Sequence, residues 1–187
     1  MRINVYCITI AVLLSVATMA SAQPNWLWTQ QIGGALYDCG YCVSQTSDGG
    51  FIITGKSEPL GSGFGDLYLV RTDDDGDTLW TRLYGGREGD CGYGVAETTD
   101  GGFIVTGVTN EGMYGLYGDL YVLKTDAGGD TIWTRSYNWG AIDRGNGVLQ
   151  TEAGDYLIAG LYDGAFTAPE GDAFLMKLDP DGNTIWL

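Results

Sequence analysis

The sequence predicts an all-β fold made of three similar units, each a four-stranded antiparallel meander. First, tryptophans recur at intervals of 52, 53 and 53 residues, at Trp28, Trp80, Trp133 and Trp186. Second, short runs of β-branched and aromatic residues alternate with Asp- and Gly-rich turns. Third, no stretch after the first 22 residues has a convincing helical period, so no helix is expected there. The predicted units cover residues 28–80, 80–133 and 133–186.

Residues 1–22 have the pattern of a cleavable secretory signal peptide. Arg2 precedes an apolar run over 3–20, and the small residues of 20–22 form a cleavage site. An uncleaved membrane anchor is the alternative, because the run nearly reaches the roughly 20 residues that span a bilayer. Cleavage predicts a repeat region over 23–187 that is secreted, periplasmic or at the cell surface, with no membrane insertion.

The second unit shows the strand pattern most clearly. Turn residues at 100–102 and 126–130 separate the strand candidates of each hairpin. Because the chain reverses at every strand, both tight turns lie on one face of the unit. The variable connection between the second and third strands then lies on the opposite face. The four predicted strands cover residues 93–98, 103–107, 120–125 and 131–137.

A single meander cannot bury both of its faces, so units of this kind stack on one another. Radial stacking would give a β-propeller-like array. The repeated stretches TDDDGDTLW, TDAGGDTIW and LDPDGNTIW resemble the tryptophan-docking motif of quinoprotein-type (PQQ-like) propeller repeats. The whole unit also resembles a repeat common in secreted and surface-attached bacterial proteins. The resemblance implies blades in which Trp28, Trp80, Trp133 and Trp186 pack between neighbouring units.

That resemblance does not extend to quinone-dependent activity, because the cofactor-stacking and metal residues of those enzymes match no position here. Three units are also fewer than the roughly 4 to 8 blades of a propeller. The chain starts in a fourth-strand pattern at 26–32 and stops at Leu187, one residue after Trp186. We therefore expect an incomplete propeller, a fragment whose remaining blades lie in a longer chain. Assembly between chains and a β-trefoil are the alternatives.

The composition excludes several kinds of chemistry. The sequence has no histidine, which excludes Ser-His-Asp and Cys-His catalysis and His-ligated zinc. Its 24 acidic residues outnumber 9 basic ones, for a net charge of −15. Nucleic acid and anionic membranes are therefore poor partners. Catalysis by a pair of carboxylates is still compatible with this composition.

The acidic stretch before Trp80 could be a calcium site or a hairpin turn. Asp73, Asp75 and Asp77 match the first three ligand positions of the EF-hand loop. However, Thr78 stands where that loop needs glycine, and Tyr84 stands where it needs a bidentate glutamate. The turn glycine recurs in every unit, as Gly76, Gly129 and Gly182. The sequence therefore predicts a hairpin turn and no cofactor or metal site, with weak surface calcium as the alternative.

The spacing of Cys39-Gly40-Tyr41-Cys42 is that of a thioredoxin-like redox pair. The next unit carries Cys91-Gly92-Tyr93-Gly94 at the same place, so the tetrapeptide is better explained by the repeat plus one extra cysteine. In an oxidising compartment, one disulfide among Cys39, Cys42 and Cys91 would leave an odd thiol.

The connections over 56–65, 108–118 and 161–171 vary most between units. Aromatic side chains on the loops of one face suit a protein- or carbohydrate-binding surface, although they could also simply cover the ends of the blades. We therefore predict a non-catalytic binding or scaffold module with no catalytic residues. The predicted ligand-face residues are Phe64, Tyr114, Tyr117, Tyr162 and Phe166.

The alternative function is a carboxylate-based carbohydrate-active enzyme, a hydrolase or lyase, on the same face. Asp38, Asp66, Asp73 and Asp77 recur between units as acidic or amide residues, which is typical of structural turn residues. A catalytic pair is expected to break the repeat. The acids that break it are Glu58, Glu111, Asp163 and Glu170.

Overall fold

The computed structural model describes residues 30–34, 37–58, 64–112, 117–163 and 171–187. Within these residues the chain forms twelve strands and no helix. The strands make three four-stranded sheets, in each of which strands that follow one another in the chain pair antiparallel. The predicted all-β fold of four-stranded antiparallel meanders is confirmed. The predictions for residues 1–22, Trp28, Tyr114, Phe166 and Glu170 concern positions outside the described residues.

The three sheets follow one another along the chain. Sheet 1 comprises β1 (Asp38–Gln45), β2 (Phe51–Ser57), β3 (Asp66–Thr72) and β4 (Thr78–Tyr84). Sheet 2 comprises β5 (Gly89–Glu97), β6 (Phe103–Glu111), β7 (Asp119–Thr125) and β8 (Thr131–Tyr137). Sheet 3 comprises β9 (Ile142–Gln150), β10 (Tyr156–Asp163), β11 (Asp172–Leu178) and β12 (Thr184–Trp186).

Two strands of sheet 2 are longer than the sequence indicated. β5 begins at Gly89 and β6 ends at Glu111, and these two residues pair across the hairpin. The ladder continues past an irregularity near Gly92, where the register shifts by one residue. Gly107 permits this close pairing, because a Cβ at that position would lie 1.8 Å from the carbonyl oxygen of Cys91. Glycine generally weakens a strand, but Gly107 permits β6 to stay paired with β5 at this point.

The sheets pack face to face through two apolar cores. The first strand of each following sheet contacts the preceding sheet: β5 contacts β1, β2 and β3, and β9 contacts β5, β6 and β7. Sheet 2 is therefore covered on both faces. The core between sheets 1 and 2 contains Ile52, Leu67, Leu69, Val95, Phe103, Val105 and Leu123. The core between sheets 2 and 3 contains Ile104, Leu120, Val122, Tyr156, Ile158, Met176 and Leu178.

The acidic stretch before Trp80 is a hairpin turn. One Asp73 carboxylate oxygen accepts hydrogen bonds from the backbone N–H groups of Asp75, at 3.1 Å, and Asp77, at 2.8 Å. Asp126 and Asp179 make the same pair of bonds in the other sheets. The turn glycines have positive φ values of 85°, 83° and 80°, at Gly76, Gly129 and Gly182. The leading acid of each turn thus shapes the backbone.

Candidate functional site

Trp80 crosses the junction between sheets 1 and 2. Its ring packs edge-on against Phe103 of β6, with the ring centroids 5.8 Å apart. It also lies against the β7–β8 turn, because a Cβ at Gly129 would be 3.1 Å from the indole. The Arg82 guanidinium covers the ring at 5.7 Å. The Tyr84 hydroxyl donates a hydrogen bond to the Gly129 carbonyl, so the fourth strand of sheet 1 holds the turn of sheet 2.

Trp133 makes the same contacts between sheets 2 and 3. Its ring lies 5.9 Å from that of Tyr156, and a Cβ at Gly182 would be 3.0 Å from the indole. The indole N–H donates to the Pro180 carbonyl at 3.2 Å. Arg135 covers the ring at 5.4 Å. Trp186, at the same repeat position in sheet 3, is 43% exposed.

Each sheet also holds a basic side chain at the hairpin between its first two strands. Lys124 is almost fully buried and binds Asp100 at 2.9 Å, and Arg71 binds Asp48 in the same place in sheet 1. Burial opposes ionisation of Asp100, but hydrogen bonds from Thr98 and Lys124 outweigh it and lower its pKa to about 2. A hydrogen bond from Thr46 is the main cause that lowers the pKa of Asp48 to about 2.

Sheet 3 forms this ion pair with an acid from a different position. Ala153 occupies the place of Asp48 and Asp100, whereas Asp155 occupies the place of a repeat glycine and binds Lys177 at 2.7 Å. In sheet 2 that glycine is Gly102, where a Cβ would come within 2.7 Å of the Lys124 nitrogen. The acid has therefore moved by two residues while the ion pair is kept.

The structure brings one predicted ligand-face residue, Tyr162, into an aromatic cluster. Its ring lies 6.2 Å from Trp139, which also contacts Phe174 at 5.4 Å and Tyr137 at 5.6 Å. Tyr117 is exposed and Phe64 is half-buried. The side chains of Trp139, Tyr162, Ala173, Phe174 and Leu187 line a pocket of about 400 Å³.

This pocket forms where the third unit departs from the repeat. Trp139 replaces Gly86, and Tyr162 replaces Thr109. Ala173 replaces the fully buried Leu120 and so leaves space. A Cβ at Gly86 would meet nothing within 4 Å, which explains how a tryptophan fits at this place without a clash.

A repeat aspartate positions the connection that carries Trp139. The carboxylate of Asp143 accepts hydrogen bonds from the backbone N–H groups of Trp139, at 2.6 Å, and Gly140, at 3.1 Å. Asp90 accepts the corresponding bond from Gly86 at 2.9 Å. Asp143 is fully buried, so its carboxylate fixes the backbone beneath the pocket.

Trp139 was not predicted from the sequence, because only the connections between second and third strands were considered as variable loops. Trp139 lies in the connection from β8 to β9, on the same face of the sheets. The signal was present in the alignment of units, since a tryptophan at a glycine position is a large departure.

A row of side chains runs along the first strands of the three sheets. Tyr41 and Tyr93 have ring centroids 5.3 Å apart, and the Arg144 guanidinium lies 5.6 Å from the Tyr93 ring. Cys39 and Cys91 stand at matching places in this row, and both are free thiols, as is Cys42. Burial raises the pKa of the Cys91 thiol to about 12, so it is a poor nucleophile near neutral pH.

The acids considered for catalysis are scattered among different environments. Glu111 lies 3.6 Å from Lys56, in an ion pair between sheets 1 and 2. The backbone N–H of Glu58 donates to the Tyr37 carbonyl. Burial, followed by the nearby Asp90 carboxylate, raises the pKa of Asp66. Glu170 and the Asp163 side chain lie outside the described part of the chain.

Among the described residues, no group of three or more His, Cys, Asp or Glu side chains is arranged to hold a metal ion. The part of the chain that the structure describes also contains no helix of the length and hydrophobicity needed to cross a bilayer. The sequence matches no protein-family model, and a search of curated proteins finds no match.

Proposed function

We propose that the protein is a non-catalytic binding module outside the cytoplasm, with a carbohydrate as its ligand. Three stacked sheets, in a propeller-like arrangement, serve as the scaffold, and the third unit carries the binding pocket. The contacts of β5 with both β1 and β9 support the propeller-like arrangement, because first strands lie side by side around a propeller axis. The signal-like pattern of residues 1–22 supports export.

The observation that carries this proposal is the aromatic pocket of about 400 Å³. Its volume lies in the range of small-ligand sites, and aromatic side chains make up most of its lining. Trp139 and Tyr162 depart from the repeat, whereas the residues that hold the sheets together follow it. Trp139 packs against the core between sheets 2 and 3 but is only partly buried, so part of its ring is free to contact a ligand.

Carbohydrate fits this lining better than a charged ligand does. The faces of pyranose rings are apolar and pack flat against Trp and Tyr, whose polar groups can bond to sugar hydroxyls. The protein as a whole is strongly acidic, with a net charge of −15, so neutral sugars meet less repulsion than anionic ligands. Glu111, the one repeat-breaking acid whose side-chain contacts are described, is in an ion pair with Lys56, which favours binding over catalysis.

The test is a glycan array followed by titration calorimetry with soluble hexasaccharides of glucose, xylose and N-acetylglucosamine. We expect saturable binding of one class, weakened at least about tenfold by Trp139→Gly, which installs the residue of sheet 2. Leu83→Ala, an exposed change on β4, is the control and should bind normally. Binding only to proteins, or no loss in Trp139→Gly, would contradict the proposal. Hydrolysis of any hexasaccharide would show an enzyme instead.

A further inference from the structure

Three polar side chains form a hydrogen-bonded set on sheet 2, at the face of the variable connections. Asp119, the first residue of β7, accepts a hydrogen bond from the side-chain amide of Asn138 at 2.7 Å and from that of Asn110 at 3.0 Å. Asp119 is half-buried, whereas both asparagines are exposed. The Asp119 carboxylate is therefore held in one orientation at the surface of the protein.

The two amide donors are specific to this place in the chain, whereas the aspartate follows the repeat. In the other units the place of Asn138 is held by glycine and the place of Asn110 by an acid, so neither place offers a side-chain amide. The counterparts are Gly33 and Gly85 for Asn138, and Glu58 and Asp163 for Asn110. Asp119 therefore has two donors that the corresponding aspartates lack at these positions.

Asp66, the counterpart of Asp119 on sheet 1, has different surroundings. Its carboxylate and that of Asp90 both lie close to Gly85, because a Cβ at Gly85 would clash with an oxygen of each. Burial, followed by the Asp90 carboxylate, raises the pKa of Asp66. Asp66 thus lies beside another carboxylate, whereas Asp119 binds two amides, and this difference makes Asp66 the matched control for Asp119.

The polar set is attached to the connection that carries Trp139. Asn138 directly precedes Trp139, so their Cα atoms are about 3.8 Å apart. The backbone N–H of Gly118, next to Asp119, donates to the carbonyl of Ala141 in the same connection at 3.1 Å. The polar set and the aromatic pocket therefore share one backbone segment.

We propose that Asp119, oriented by Asn110 and Asn138, binds hydroxyl groups of the carbohydrate whose ring packs against Trp139. The inference rests on the carbohydrate-binding function proposed above. A carboxylate can only accept hydrogen bonds, so the amide nitrogens face Asp119 and the amide oxygens are left for other donors. The carboxylate itself has about four acceptor positions, of which the two amides use two. The set therefore offers mainly acceptors to a ligand.

This excess of acceptors selects the chemistry of the ligand. A sugar hydroxyl donates a hydrogen bond, and two neighbouring hydroxyls of one ring can reach both oxygens of a carboxylate. A carboxylate, sulfate or phosphate group on the sugar would be repelled by Asp119 and by the net charge of −15. The ligand class is therefore a neutral sugar with at least two neighbouring free hydroxyls beside the ring that packs on Trp139.

The first test is titration calorimetry with whichever hexasaccharide of glucose, xylose or N-acetylglucosamine binds the unaltered protein. Asp119→Asn should weaken binding at least about tenfold, and Asn138→Gly, which installs the residue of sheet 1, about threefold or more. Asp66→Asn, the same change at the matching place of sheet 1, should bind normally. Circular dichroism melting checks that each variant is folded. Full affinity in Asp119→Asn and Asn138→Gly, or an equal loss in Asp66→Asn, would overturn the inference.

The second test removes the donors from the ligand. The permethylated form of the same hexasaccharide keeps its rings but has no hydroxyl groups, so it should bind the unaltered protein at least about tenfold more weakly. Asp119→Asn should cause no further loss with this ligand, because the hydrogen bonds that it removes are already absent. Equal losses with both ligands would show that Asp119 acts through the fold and not through the hydroxyl groups.

Trp139→Gly distinguishes a failure of this inference from a failure of the proposed function. Weak binding in Trp139→Gly, together with full affinity in Asp119→Asn and Asn138→Gly, would overturn the role of the polar set and keep the aromatic pocket. Full affinity in Trp139→Gly with weak binding in Asp119→Asn would overturn the aromatic pocket and keep Asp119 as a ligand-binding residue. Absence of saturable binding to all three hexasaccharides would overturn both.

Discussion

Sheets 2 and 3 have closely related sequences but different surroundings. Among the described residues, sheet 2 is covered by neighbouring sheets on both faces, whereas sheet 3 is covered by a neighbouring sheet on one. Val122 and Leu175 occupy the same repeat position, yet Val122 is fully buried and Leu175 is half exposed. The difference shows that the repeat determines which side chains are apolar, while the neighbouring sheet determines which of them contribute to stability.

The same comparison separates the scaffold from the proposed ligand site. In sheets 1 and 2 the place of Trp139 is held by Gly34 and Gly86, and the place of Ala173 is held by leucine. In sheet 3, Trp139 and Ala173 create the pocket. Sheet 3 also rearranges its ion pair, through Asp155. One unit thus keeps the strand framework while it changes the residues at the face of the variable connections.

The largest expected effect is at the tryptophan between sheets 2 and 3. Trp133→Ala should lower the free energy of unfolding by about 3 to 5 kcal/mol, because it leaves a cavity against Tyr156 and Gly182. Trp186→Ala, at the exposed end, should cost under about 1 kcal/mol. Urea unfolding measures both losses. Equal losses would refute the packing role of Trp133.

The second-largest effect is expected at the β7–β8 turn, against which the Trp80 ring packs. Gly129→Ala should cost about 2 to 4 kcal/mol, because alanine is strained at a φ of 83° and its methyl group also displaces the indole. Gly101→Ala is the control, since Gly101 has a φ of 79° but no neighbour within 4 Å of a Cβ. It should cost only about 1 to 2 kcal/mol. Thermal melting compares the two, and equal values would exclude a contribution from Trp80 packing.

The third effect concerns the displaced ion pair of sheet 3. Asp155→Gly should cost about 1 kcal/mol, because Lys177 loses its partner at a partly buried site. Adding Ala153→Asp should recover most of that loss, since it restores the arrangement that Asp100 and Lys124 have in sheet 2. A double variant no more stable than Asp155→Gly would show that the two arrangements are not equivalent.

The smallest effect is the dependence of stability on acid. The pKa values of Asp48 and Asp100 are lowered from 3.8 to about 2 in the folded protein. Their contribution is therefore present above pH 4 and is lost as the pH falls from about 4 to 2. The melting temperature should fall over this range, and less steeply in an Asp48→Asn, Asp100→Asn variant. An identical slope in the variant would assign the acid sensitivity to other groups.

The sequence predicted the architecture well because the repeat makes each signal appear several times. The third-to-fourth-strand turns were identified by failure of the calcium pattern at Thr78 and Tyr84, together with the recurring Gly76. The ends of β5 and β6 were not predicted, because glycines at 89, 92 and 107 obscure strand pairing that depends on a partner strand. Such pairing is a tertiary property.

The pocket could be predicted only in part. Tyr162 was identified from its place in a variable connection, but its contact with Trp139 depends on how β8 leads into β9. The role of Ala173 is visible only by comparison with buried leucines in a structure. Tyr117 was named on the same grounds as Tyr162, yet it lies outside this pocket. Composition alone does not distinguish the two tyrosines.

The separation of scaffold from ligand site is tested most directly by one variant that gives the third unit the residues of the second. Trp139→Gly, Tyr162→Thr and Ala173→Leu together should leave the melting temperature within a few degrees of the original while oligosaccharide binding, measured by calorimetry, is lost. A variant that keeps its affinity would show that the aromatic pocket of the third unit is not the ligand site. A variant that no longer folds would show that these aromatic residues belong to the scaffold.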